Sequence, residues 1–141
     1  MMVLVMVLAG CVASPALAAE HQAAVSAVVL SVHDGDTFKV RAAIWPDLDI
    51  TVSVRLAHVD TPELRGKCAG ERKRALAARD LVRDMMPVGS AVTLSNIRRD
   101  KYAGRVDASV TLEDGRDLAV LLLAKRLARA YDGGTKPDWC H

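Results

Sequence analysis

Apolar and polar residues alternate with a period of two along several short stretches of this chain, and recur with a helical period in others. Ala27 to Val32 is rich in β-branched and apolar residues and reads as a strand, closed by the turn-forming run His33-Asp34-Gly35-Asp36. Thr37 to Ala43 alternates and predicts a second strand, with Trp45-Pro46-Asp47 as a hairpin loop. From Ile50 to His58 the pattern puts Ile50, Val52, Val54 and Leu56 on one face and Arg55 on the other. Asp60-Thr61-Pro62-Glu63 breaks that strand. A helix is expected from about Gly70 to Met86, with Ala78, Leu81, Val82 and Met85 on its apolar face and Pro87 and Gly89 as its stop. Ala91 to Ile97 and Arg105 to Leu112 read as the fourth and fifth strands, separated by a basic loop from Arg98 to Gly104. Asp117 can cap a second helix reaching about Ala128, and Asp132-Gly133-Gly134 opens an irregular tail.

Three strands, a helix, two strands and a helix predict a β-rich α+β fold. The expected architecture is a five-stranded OB-fold β-barrel, with helices after strands three and five. An open α+β sheet shares this order and is the alternative. The 141 residues, 51% of them apolar, suit one domain with a compact core. Met1 to Ala19 holds no Asp, Glu, Lys or Arg and ends on Ala16-Leu17-Ala18-Ala19, the layout of a signal peptide, which leaves 20–141 as the domain and the product periplasmic or secreted. Leu8-Ala9-Gly10-Cys11 also has the form of a lipobox, so a lipid on Cys11 is the alternative route to the envelope. Cys68 and Cys140 then remain, and in an oxidising compartment they can pair and tie the tail to mid-chain; two free thiols are the alternative.

A formal net charge of +2 is weak evidence for a nucleic-acid partner, so the chemistry rests on local clusters. Three stand out: Asp34-Gly35-Asp36-Thr37; Arg55 with Asp60-Thr61-Pro62-Glu63; and Asp100-Lys101-Tyr102-Ala103-Gly104-Arg105. Each sits at a strand end, and strand ends of a closed barrel can converge. Phosphodiester hydrolysis needs a hard cation held by oxygen, a base for water and fixed donors for the developing charge. Asp36 and Asp60 can supply carboxylates, Glu63 a base, and Arg55 and Arg105 planar forks that grip phosphate in two places. Taken singly, each cluster also reads as an ordinary turn, helix start or solvated strand; it is their joint occurrence that points to a site. His33 and His58 flank it without a closed zinc spacing. Lys67, Arg72-Lys73-Arg74 and Arg98-Arg99-Lys101 can gather a phosphate backbone or simply face solvent. Trp139 reads as an anchor for the tail.

Asp34-Gly35-Asp36-Thr37, Arg55-Leu56, Val59-Asp60-Thr61-Pro62-Glu63 and Asp100-Lys101-Tyr102 with Gly104-Arg105 together resemble the thermonuclease (staphylococcal-nuclease-like) family, across about Val28 to Tyr131. That resemblance implies an OB-fold and a calcium-dependent endonuclease that cuts DNA and RNA to leave 3′-phosphates. It implies that Asp36, Asp60 and the carbonyl of Thr61 bind the metal, and that Glu63 is the general base. Arg55 and Arg105 would clamp the scissile phosphate, with Tyr102 and Tyr131 contacting substrate. Oxygen ligands admit magnesium or manganese as well. No stable protein partner is implied. Ala103 lengthens the usual Tyr-Gly-Arg run by one residue, and the final C-terminal helix of the family is not expected after Tyr131. The alternative reading is an OB-fold module in the cell envelope that holds nucleic acid without cutting it.

Overall fold

The computed structural model describes residues 23–141; the expected signal peptide, and Cys11 with its lipobox, lie outside the described residues. In chain order the elements are β1 (Val25–Val32), β2 (Thr37–Trp45), β3 (Leu48–Leu56), β4 (Val59–Asp60), α1 (Ala69–Met85), β5 (Ala91–Arg99), β6 (Arg105–Leu112), α2 (Leu118–Ala124) and β7 (Arg129–Ala130). The five long strands close into a barrel in the order β1-β2-β3-β6-β5, with β5 pairing back onto β1. All neighbours are antiparallel except β3 and β6, which run parallel. The barrel is thus mixed, and with its two helices the fold is the OB-like α+β architecture expected.

Alternation explains which residues fill the barrel. Val29, Phe38, Val40, Val54, Leu56, Leu94, Ala108 and Val110 point inward and are essentially inaccessible to solvent. Val82 and Met86 from α1 and Leu118 and Leu122 from α2 join the same core. Bulges bend β1 between Val29 and Ser31, and β5 between Ser95 and Arg98. Such extra residues raise local twist and help a short sheet close.

Several boundaries differ from the sequence reading. The second helix ends at Ala124, not near Ala128, because Arg126 turns left-handed at φ 57. The third strand stops at Leu56, before His58, which sits at φ 65. Arg98 and Arg99 belong to β5 and not to a loop, since β5 continues past its bulge to pair with β6. Two-residue strands β4 and β7, invisible as patterns, pair through Val59 with Ala130 and Asp60 with Arg129.

Beyond β7 the chain lies against the body of the protein. A disulfide joins Cys68, the N-cap of α1, to Cys140 across 72 residues of sequence. Trp139 beside it is 4% exposed, as suits the tail anchor expected. Among the described residues, no helix is long and apolar enough to cross a membrane.

Candidate active-site cleft

The cross-strand register on the outside of the barrel assembles the site. Thr37 on β2 faces Arg55 on β3, Arg55 faces Asp107 on β6, and Asp107 faces Arg98 on β5. Partners in register share a face, so this row of polar side chains runs across four strands on the outer surface. The flanking rows point inward, with Phe38 opposite Val54 and Leu56 opposite Ala108. Arg105, two residues before Asp107, stands on the same outer face. The row lines a cleft of about 800 Å³, whose walls also include Asp36, Glu63, Tyr102, Tyr131 and Lys136.

The β1–β2 turn delivers the first carboxylate. Asp34 folds it by accepting the amides of Asp36 at 3.1 Å and Thr37 at 2.8 Å. Gly35 must be glycine on steric grounds: a Cβ there would lie 2.8 Å from the Cβ of Ala78 on α1 and 3.1 Å from Thr61. Asp36 is held on both oxygens. Its Oδ1 meets Arg55 Nη1 at 2.6 Å and the Thr37 hydroxyl at 3.0 Å, and its Oδ2 accepts the Thr61 amide at 3.0 Å. Burial alone would raise its pKa, but the Arg55 guanidinium and these hydrogen bonds hold it below the ordinary value. Burial and the negative charge of Asp36 push the neighbouring Asp34 up to about 6.

Asp60 and Thr61 lie just behind the cleft wall, 1% and 2% exposed. Asp60 Oδ2 accepts the indole N–H of Trp139 at 3.0 Å. Its Oδ1 lies 3.5 Å from Arg55 Nη2 and 3.2 Å from Lys136 Nζ. Neither contact is aimed as a hydrogen bond, and Oδ1 is an unsatisfied buried polar atom among the described residues. A buried carboxylate oxygen without a donor is costly unless a cation serves it. The carboxylate oxygens of Asp36 and Asp60 have the hard-donor chemistry that suits a divalent ion.

Glu63 stands at the rim with its side chain 52% exposed, ion-paired to Lys136 at 2.7 Å. Its backbone is fixed from beneath. Buried Glu71 on α1 accepts the Glu63 amide at 3.2 Å and the Lys67 amide at 2.9 Å, tying down the loop that carries the carboxylate. Lys136 keeps its charge: burial pulls its pKa down, but the adjacent carboxylates of Glu63 and Asp60 raise it overall.

Across the cleft Arg105 grips Asp100 through Nε at 2.7 Å and Nη2 at 3.3 Å, and stacks 4.6 Å from the Tyr102 ring centre. Burial would raise Asp100, yet bonds from Arg105 and from the Tyr102 amide lower it overall. Ala103 is absorbed in the turn before Gly104 at φ 76, and Arg105 still faces the cleft with Arg55. Tyr131 lines the opposite wall, its hydroxyl donating to the Gly134 carbonyl at 3.0 Å.

All the proposed catalytic, metal and substrate residues thus gather in or directly behind one cleft. Comparison of the chain with protein-family models and with curated proteins gives no match. Three features of the cleft had no sequence signal. Both arginines, expected as open phosphate clamps, are met here by carboxylates of the protein itself, Arg55 by Asp36 and Arg105 by Asp100. Lys136, 73 residues from Glu63 in sequence, also enters the site. Asp107 had no motif either; burial and the nearby Asp100 raise its pKa. Cys68, Glu71 and Cys140 lie within 4.8 Å of one another, but the disulfide leaves no thiolate there for a metal.

Proposed function

We propose that the protein is a metal-dependent endonuclease of thermonuclease type, hydrolysing phosphodiester bonds in DNA or RNA with calcium as its ion. The observation that carries this reading is the pairing of a buried, unsatisfied Asp60 oxygen with a two-arginine cleft and an exposed carboxylate at its rim. Asp36, Asp60 and the Thr61 carbonyl would hold the ion, which supplies positive charge against a phosphoryl oxygen. Glu63 accepts the proton of the attacking water, whose oxygen bonds to phosphorus as the bond to the leaving oxygen breaks. Arg55 and Arg105 donate N–H groups to the remaining phosphoryl oxygens, where charge accumulates. Tyr102 and Tyr131 line the path of the strand beside the scissile phosphate. The disulfide agrees with the proposed export to an oxidising compartment.

The second reading is a binding module. It draws on Arg55 and Arg105 being engaged by internal carboxylates, which can leave phosphate contacts without turnover. Kinetics of Glu63→Gln separate the two. The nuclease reading expects turnover to fall about 10²- to 10⁴-fold at saturating calcium, with calcium affinity nearly kept. Turnover equal to wild type would remove Glu63 as the base, and a protein inert in both forms would leave the binding module.

A further inference from the structure

Lys136 is held in the cleft from both sides. Upstream, Gly133 and Gly134 turn the chain at φ 105 and 83, and the Tyr131 hydroxyl pins the Gly134 carbonyl. Downstream, Trp139 is buried and Cys140 is covalently joined to the start of α1. Between these anchors the side chain of Lys136, 51% exposed, reaches inward to two carboxylates. Its ammonium lies 2.7 Å from Glu63 Oε1 and 3.2 Å from Asp60 Oδ1. That Asp60 oxygen is the one left without a hydrogen bond, while the other, Oδ2, accepts the Trp139 indole N–H.

We propose that Lys136 is a tethered resident cation: it neutralises Asp60 and Glu63 in the metal-free protein, and a divalent ion must displace it from Asp60 Oδ1. This deepens the nuclease reading and rests on it, through Asp36 and Asp60 as metal carboxylates. The physical basis is competition. An ammonium and a divalent ion cannot both sit against one oxygen without strong like-charge repulsion, which the half-buried setting screens poorly. The resident lysine removes the repulsion among Asp36, Asp60 and Glu63 while no metal is bound. It also weakens metal binding, so the tail sets how much ion the site requires. Because Trp139 and Cys140 hold the segment, the ammonium is delivered at a high effective concentration and not by chance encounter.

The test is calcium binding by isothermal titration calorimetry to the disulfide-intact protein, comparing wild type with Lys136→Met and Lys136→Arg. Lys136→Met is expected to bind calcium on the order of tenfold more tightly, within the usual span of coupling between two sites. Lys136→Arg, which keeps the positive charge, should stay within about threefold of wild type on the same scale. Near-UV circular dichroism checks the fold, and Lys136→Gln serves if the methionine variant does not fold. Equal or weaker calcium affinity in the neutral variant, with clear binding by wild type, overturns the role of Lys136 and leaves the nuclease reading standing. No calcium binding by either protein overturns both.

Discussion

At Asp60, one carboxylate is asked to satisfy an indole N–H, two cationic side chains and a buried setting at once. Trp139→Phe keeps an aromatic ring and removes the donor, so Asp60 Oδ2 loses its hydrogen bond and neither oxygen is left with an aimed one. Thermal denaturation should show a loss of about 1–3 kcal/mol, the usual cost of such an orphaned group. Calcium should recover part of it by binding the folded form; a variant as stable as wild type without metal would show that the indole N–H does not stabilise buried Asp60. Arg105→Lys keeps the charge but not the fork that grips Asp100, and activity should fall on the order of 10²-fold. Unchanged kinetics would show that Arg105 does not touch the reacting phosphate. Asp100 also gives a pH dependence. Its folded-state pKa lies below 3.8, so its contribution is fully present above that value and is lost as pH falls below it. Acid unfolding of Asp100→Asn followed by circular dichroism should therefore be flatter below pH 4 than that of wild type. Asp36, Asp60, Glu63 and both arginines could be singled out in the sequence because each belongs to a short, chemically coherent run. Lys136 and Glu71 could not, because their importance lies in contacts to distant residues, and a lone lysine or an early-helix glutamate carries no local mark.

Among the elements, alternation made β2, β3 and β6 readable, β-branched and apolar content made β1 readable, and the helical spacing of Ala78 and Val82 made α1 readable. What alternation could not supply was partnership. The parallel pairing of β3 with β6, which places Arg55 and Arg105 on one face, joins segments far apart in the chain. The β4–β7 pair is two residues long on each side, too short for any period to show. The early end of α2 follows from the left-handed Arg126, a conformation with no glycine to announce it. The bridge was legible as an even pair of cysteines, though not as the device that seats Lys136 and Trp139. Cross-linking across 72 residues restrains the unfolded chain by roughly 4 kcal/mol in the chain-entropy account. Reduction, or Cys68→Ser with Cys140→Ser, should lower the melting temperature by on the order of 10 °C. A melting curve indifferent to reductant would mean that the tail adds little to the folded state.

Over the whole molecule, a net charge of +2 conceals a strong local asymmetry. One outer face of the barrel carries a dense mixture of carboxylates, guanidiniums and ammonium groups, while an apolar cluster fills the barrel core. Such a division suits a rigid scaffold that holds reactive groups in fixed relation, with closure of the sheet removing exposed edges. The most direct test of the proposed activity is cleavage of heat-denatured DNA by the purified disulfide-bonded protein, in calcium, in magnesium and in chelator. Cutting that requires a divalent ion and disappears in Glu63→Gln is the result expected. A folded protein that binds the DNA yet leaves it intact in every metal would contradict the nuclease account.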